Sequence, residues 1–280
     1  MLLIDEPETA LHPSATRAAK EHLYALAKES GWQVMLSTHH PAFIDPLKDH
    51  TTIVRLHRAG KTTAPNIYRA DKVKFDLAEK ELLKSLLVFD LSVAEMFFAY
   101  SVLIVEGDTE FAAFSAVMDK ESAHFPLESR PLILRARGKW VIPLLIRMLA
   151  QFKVNCAVLH DADSPKNSDG SKNGAYKCNI DITKEITEAR KAIHVIHRCS
   201  IPDFERQHSM ELPSKDKPYA AWKGVSATQQ KFDSVFKALK ELVSEPTEHS
   251  AADKEDGQHF ESRLKDWANK YAATDPRYTF

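Results

Sequence analysis

Hydrophobic residues fall along the chain in two recurring patterns. Short aliphatic runs at 2–4, 34–36, 53–56, 102–106, 131–135, 154–160 and 193–196 predict β-strands. The run Val102-Leu103-Ile104-Val105 has no alternation that would leave one face wet, so it fits a strand covered on both sides in a parallel sheet. Between the runs, apolar residues recur at helical spacing: Ala18, Leu23, Leu26 and Ala27 within 14–28, Phe111, Phe114 and Met118 within 109–118, and a helix over 140–152. Leu82, Leu83, Leu86, Leu87, Leu91, Val93, Met96 and Phe97 predict one or two helices over 76–98, broad enough in apolar character for a dimer contact. Alternating short buried strands and amphipathic helices predict an α/β fold with a parallel sheet flanked by helices. Near the end, Phe232, Val235, Phe236, Leu239 and Leu242 mark one amphipathic helix, and Phe260, Leu264, Trp267 and Tyr271 another.

Polar stretches separate these elements. Residues 59–64 read as a turn, and 164–179, rich in Ser, Asn, Lys, Asp and Gly, as a mobile loop. A helix capped by Asp181 or Thr183 follows and runs to Lys191. Residues 244–258 form a charged, proline-containing linker.

The candidate chemistry lies where the strands stop. After 102–105 the chain reads Glu106-Gly107-Asp108-Thr109-Glu110: Gly107 permits a sharp turn, Asp108 is placed to cap the next helix, and Glu110 falls in its first turn, close to Glu106. Asp161 and Asp163 follow the run 156–159, and side chains two apart on an extended segment point the same way. In a doubly wound sheet both strands end on the edge where ligands bind. One acidic pair could be a helix-dipole effect or the start of a polar loop. Four carboxylates on one edge repel one another and require cations, best met by hard divalent ions. Asp203 and Glu205 add two more carboxylates near the same sheet.

Composition narrows the classes. The chain has 280 residues, 44% of them hydrophobic, enough for sizeable cores. A formal charge of −1 excludes indiscriminate polyanion binding, so contact with nucleic acid needs a local basic patch or bound metal. Cys156, Cys178 and Cys199 lack CxxC spacing, which points to a reducing compartment without structural zinc. The most hydrophobic helix, 140–152, contains Arg147 and is too short to span a bilayer, and no signal peptide opens the chain; the expectation is a cytoplasmic protein with no membrane partner. The histidines lack HxxxH spacing, so none is assigned to metal, and His160 reads as a neighbour of the site.

The first strand ends in Asp5-Glu6 and leads to Thr9-Ala10-Leu11-His12-Pro13; the second, Val34-Met35-Leu36-Ser37, runs into Thr38-His39-His40-Pro41. In that order these resemble the Walker B strand, D-loop and H-loop of ABC-type ATPases. The resemblance implies that Asp5 holds Mg²⁺, Glu6 polarises water and His39 contacts the γ-phosphate. Neither a Gly-x-x-x-x-Gly-Lys-Ser/Thr loop nor a Leu-Ser-Gly-Gly signature occurs. The expectation is therefore a C-terminal fragment: 1–58 as the last part of an ATPase domain, 59–98 as a helical connection, 99–225 as a catalytic domain and 226–280 as a helical segment, with ATP used only by the full-length protein.

Glu106 in IVEGDTE and the later Asp161-Ala162-Asp163 resemble the Toprim fold of topoisomerases, primases and certain nucleases. An ABC-type ATPase running into a Toprim unit resembles the OLD (overcoming lysogenization defect) family of nucleases, related to the nuclease subunit of the Gabija phage-defence system. This resemblance implies a homodimeric, metal-dependent DNA endonuclease with two Mg²⁺ or Mn²⁺ ions and a regulatory ATPase. By motif it makes Glu106, Glu110, Asp161 and Asp163 metal ligands, with Glu205 in IPDFE as a further acidic member. Glu106, Asp161, Asp163 and Lys217 would be catalytic, Lys217 in KPYAA matching a lysine near the scissile phosphate. Arg137-Gly138-Lys139 stands where many relatives carry Gly-Gly-Lys; with the KPYAA lysine, the resemblance assigns Arg137, Lys139 and Lys217 to DNA. Two other classes stay open: a topoisomerase- or primase-like enzyme, the former needing a tyrosine nucleophile, and a non-catalytic nucleic-acid-binding ATPase partner whose carboxylates are structural. Product chemistry separates the three.

Overall fold

Strands β1 (Leu2–Asp5) and β2 (Val34–Ser37) pair in parallel, with Asp5 opposite Ser37, and α1 (Pro13–Lys28) links them. They belong to a computed structural model that describes residues 1–59, 62–71, 75–213, 215–243 and 259–280. The chain divides into two units, 1–98 and 99–280. Pro13 occupies the first turn of α1, where its missing N–H costs nothing, and the His12 ring accepts from the Ser14 N–H. A two-stranded sheet is too narrow to cover this helix: Leu23 and Leu26 are half-buried, and Ala18 and Ala27, predicted to face inward, are exposed.

The predicted turn over 59–64 is mostly strand. β3 (Thr52–Ala59) and β4 (Thr62–Arg69) form an antiparallel pair from Thr52 opposite Arg69 to Ala59 opposite Thr62, while Gly60 and Lys61 lie outside the described residues. β-Branched Thr62, Thr63 and Ile67 favour pairing, and Pro65 is tolerated because a two-stranded sheet has only edge strands. Two helices follow, as predicted: α2 (Leu77–Phe89), started by a reciprocal Asp76–Glu79 capping box, and α3 (Leu91–Glu95). Phe43, Tyr68, Leu83, Val93, Met96 and Phe97 are buried in this unit.

The second unit is built on a four-stranded, wholly parallel sheet in the order β6 (Leu132–Arg135), β5 (Ser101–Val105), β7 (Asn155–Asp161), β8 (Val195–Ser200). Helices α4 (Asp108–Lys120), α5 (Ile142–Gln151) and α6 (Gly174–Ala189) connect successive strands. Val102 to Val105 are 0–1% exposed, as an unalternating run in an inner strand requires. Asp108 is not a cap: Gly107 holds that position, and Asp108 opens the helix with its carboxylate 3.5 Å from the Arg135 guanidinium.

Helix α6 begins well before its predicted start. Asn173 caps it by accepting from the Ala175 N–H at 2.9 Å, so Asp181 and Thr183 lie inside the helix and the predicted loop shrinks to 164–173. Cys178, Ile182, Ile186 and Ala189 supply a sparse buried stripe that the polar composition hides. The following strand is Val195–Ser200 where 193–196 was predicted.

Among the described residues, four α-helices complete the unit: α7 (Phe204–Gln207), α8 (Lys217–Ala227), α9 (Gln229–Val243) and α10 (Phe260–Tyr271). Val235 and Leu239 of α9 join Ala221 and Val225 of α8, Phe114 and Val117 of α4, and Leu103 of β5 in one core. Phe260, Leu264 and Ala268 of α10 pack with Ala162, Cys199 and Ile201 beyond the strand ends, whereas Tyr271 is exposed. The predicted linker 244–258 lies outside the described residues. Cys156, Cys178 and Cys199 are free and buried, and no helix among the described residues is long and apolar enough to cross a membrane.

Phe114 and Phe204 meet edge to face at 5.7 Å and 78°, which ties α4 to the start of α7. Phe114→Ala is expected to lower stability by about 3–5 kcal/mol. Tyr271→Ala, at an exposed position, is expected to change it by less than about 0.5 kcal/mol; thermal or denaturant unfolding of the two variants checks the contrast.

Candidate metal centre

Because β5 and β7 are parallel neighbours, Glu106 and Asp161 leave the sheet at the same edge, and the Asp161 N–H donates to Glu106 Oε2 at 3.2 Å. The turn at Gly107 returns the chain at once, so the first turn of α4 brings Glu110, only 5% exposed, to the same place. Asp161 Oδ1 accepts from the Phe204 N–H at 2.9 Å, at the start of the short helix that carries Glu205.

Asp163 arrives differently from the prediction. β7 ends at Asp161, and Asp163 has φ 61°, so the alternation that would align the two carboxylates is broken. Asp163 Oδ2 instead accepts from Lys139 Nζ at 2.6 Å, and the same ammonium donates to the Asp161 carbonyl. Lys139 is 3% exposed and therefore turns into the acidic cluster, not outward to a nucleic acid. The turn before it needs Gly138, whose φ of 141° suits glycine alone. Arg137, at φ 54°, lines a neighbouring groove with Arg135. Lys217, half-exposed, puts Nζ 3.5 Å from Glu205 Oε1.

Burial is the main cause that raises Glu106, Glu110, Asp161 and Asp203 above the usual carboxylate range. It pushes Glu106 up, with Asp163 and Glu205 adding repulsion while Lys139 and the Asp161 N–H oppose it. Glu110 is pushed up to about 7 by burial, with Glu106 and Glu205 contributing against its backbone hydrogen bonds. Asp161 lies well above the usual range through burial and then Glu110, Glu106, Asp163 and Asp203. Asp203 is raised by burial too, with further repulsion from Glu205 and Asp163, although it caps α7 and pairs with Arg206 at 3.2 Å. Its position two residues before Glu205 was the only sequence signal for its part in the cluster.

Beneath the edge, His160 and His197 share a 2.8 Å bond between their Nε2 atoms, and His160 Nδ1 lies 2.9 Å from the Asp161 carbonyl oxygen. Burial holds both rings neutral, His197 down to about 3. With Nε2 of each ring engaged, they support the strand ends and offer no metal donor there.

The structure thus brings together Glu106, Glu110, Asp161, Asp163, Glu205, Lys139 and Lys217. Among the described residues no three His, Cys, Asp or Glu side chains form a ready ligand cluster. Four of these carboxyls lean on separate partners: Glu106 on a backbone N–H, Asp161 on another, Asp163 on Lys139 and Glu205 on Lys217. The donor set still fits a hard divalent cation, being all oxygen, desolvated and destabilised by like charge.

In the first unit, Asp5, Glu6 and His39 meet at the end of the β1–β2 pair. The Ser37 hydroxyl donates to Asp5 Oδ1, and His39 Nε2 lies 3.6 Å from Glu6 Oε1. Glu8 fixes the following loop by accepting from the Thr38 hydroxyl at 2.7 Å and the His39 N–H at 3.0 Å.

Comparison with known proteins agrees with the fold of the second unit. Residues 97–163 match the family described as overcoming lysogenization defect protein-like, TOPRIM domain. The Old nuclease of Escherichia phage P2 is 28% identical over 168 residues, covering 60% of this chain and 28% of that protein. The OLD nuclease of Thermus scotoductus is 27% identical over 163 residues, 58% of this chain and 30% of the relative. Endonuclease GajA of Bacillus cereus is 29% identical over 127 residues, 45% and 20% of the two chains. The chain spans less than a third of the length of each of these relatives. The segment 97–163, which carries Glu106, Glu110, Asp161 and Asp163 on one sheet edge, thus resembles the TOPRIM domain of OLD-like proteins.

Proposed function

We propose that the chain is a divalent-metal-dependent endonuclease that hydrolyses phosphodiester bonds in DNA. The observation that carries this reading is the set of buried, mutually repelling carboxyls at the carboxyl edge of a parallel sheet, with a lysine at its rim. Nuclease relatives support the same reaction class.

Glu106, Asp161 and Asp163 would hold a first ion and Glu110 and Glu205 would help to hold a second. When bound, Mg²⁺ or Mn²⁺ would supply Lewis-acid polarisation of the phosphate and a more acidic attacking water. Backbone N–H donors fix Glu106 and Asp161 in direction. Lys139 holds Asp163 and offsets part of the excess negative charge. Lys217 is exposed enough to reach a phosphate and meets the charge that grows on it during displacement.

Asp5, Glu6 and His39 are consistent with a nucleotide-hydrolysing set in a longer protein. This chain, which carries no Gly-rich phosphate loop, is expected to show no ATP turnover by phosphate release.

The direct test of the nuclease reading is plasmid nicking with Mg²⁺ or Mn²⁺ and without ATP; folded protein that leaves plasmid intact contradicts it. Asp161→Asn should lower the nicking rate by more than about 100-fold, the upper end of what outer-shell partners of a metal cost. Lys217→Ala should slow nicking about 10²–10³-fold while metal binding, followed by calorimetry, is unchanged. A covalent tyrosine–DNA product would move the protein to the topoisomerase class.

Glu110 gives a stability prediction with a definite sign. An acid whose folded pKa is raised binds its proton more tightly in the folded state, so stability falls as pH rises from the unperturbed 4.5 towards about 7, and the loss is complete above that. In EDTA, Glu110→Gln should therefore raise the melting temperature above about pH 7 and change it little near 4.5. Equal effects at both ends would show that Glu110 carries no such strain.

A further inference from the structure

One groove beside the acidic edge has no part in the chemistry above. It is a shallow, open groove of about 430 Å³ between α4, the end of β6 and α8. Phe111, Arg135, Arg137, Pro218, Tyr219 and Trp222 line it. Tyr219 and Trp222 stand one turn apart on the same face of α8, their rings 17° from parallel and 6.4 Å between centroids. Both are exposed, at 64% and 44%, while Ala221 and Val225 of the same helix fill the core. The aromatic pair is therefore not required for packing. Across the groove the Arg135 guanidinium lies over the Phe111 ring at 4.5 Å and 3.5 Å from Asp108.

We propose that this groove binds one unpaired nucleotide of the DNA, its base stacked on the Tyr219–Trp222 face and its phosphate met by the Arg137 side of the groove. The proposal rests on the nuclease reading and adds to it a substrate preference. Bases of any sequence present a π-face to aromatic side chains, but a base inside a closed duplex has both faces covered by its neighbours. The chain as a whole carries a formal charge of −1, so affinity for DNA has to come from such local features. The groove also adjoins the acidic edge through the chain itself. Pro218 follows Lys217, whose ammonium lies 3.5 Å from Glu205, and Asp108 lies between Glu106 and Glu110. A nucleotide held there lies next to the bond to be cut. Single-stranded, frayed or gapped DNA is then favoured over closed duplex.

The test is fluorescence anisotropy in EDTA, where no cleavage intervenes, with labelled oligothymidylate and a closed hairpin duplex of equal length. Wild-type chain should bind the single strand more tightly. The double variant Tyr219→Ala, Trp222→Ala should weaken single-strand binding about 5- to 100-fold, as loss of base stacking does, and leave duplex binding unchanged. Trp222→Phe should retain most of the affinity, and unchanged melting temperatures should show that the exposed substitutions preserve the fold. No single-strand preference in the wild type, or equal loss on both ligands, overturns the proposal. Plasmid nicking by the wild type, read in parallel, separates the two claims. Nicking without single-strand preference refutes only the nucleotide site, whereas single-strand binding without nicking refutes only the nuclease reading.

Discussion

The buried ammonium of Lys139 opposes part of the negative charge gathered at the acidic edge. Desolvated carboxyls crowded at strand ends favour their protonated forms, because their repulsion is weakly screened away from water. Lys139 bridges the Asp163 carboxylate and the Asp161 carbonyl and acts on Glu106 as well, so one side chain links the turn after β6 to the ends of β5 and β7. That turn runs through left-handed backbone at Arg137 and Gly138, the geometry that delivers the lysine inward. Partial neutralisation leaves the remaining carboxyls strained, with Glu110 and Asp161 displaced furthest.

The hydrophobic core creates this strain and also keeps it local. Leu103, Val105, Phe114 and Val117 fill the space behind the edge, and the Phe114–Phe204 contact fixes the distance between the helices that carry Glu110 and Glu205. Below, the neutral His160–His197 pair satisfies polar atoms without adding charge. The cluster is thus built on strand ends and helix starts rather than on long loops, which limits how far repulsion can spread the ligands.

Much of this was legible from residue pattern alone. An unalternating aliphatic run ending in Glu106 read as an inner parallel strand, and it is one. The turn and helix that bring Glu110 back were equally readable, since Gly107 and the Phe111–Phe114–Met118 spacing signal both. Other parts were not. Asp163 looked aligned with Asp161 because alternation assumes an extended backbone, and its positive φ breaks that assumption. Lys139 read as a DNA contact from its match to the family's Gly-Gly-Lys turn; lysines are seldom buried, and only the tertiary fold shows the carboxyls that make burial tolerable. The start of α6 was hidden by polar residues, and β4 by a proline that only an edge strand accepts.

Proton release on metal binding tests the central claim most directly. If the raised carboxyls are the ligands, divalent ions must displace their protons. Titrating the chain with Mn²⁺ by calorimetry, near and below the pKa of about 7 assigned to Glu110, in two buffers of different ionisation enthalpy, should give saturable binding. The apparent heat should differ between buffers by the protons released, and this difference should shrink as the pH rises above that value. Binding with no buffer dependence at any pH, or no binding, would contradict the account.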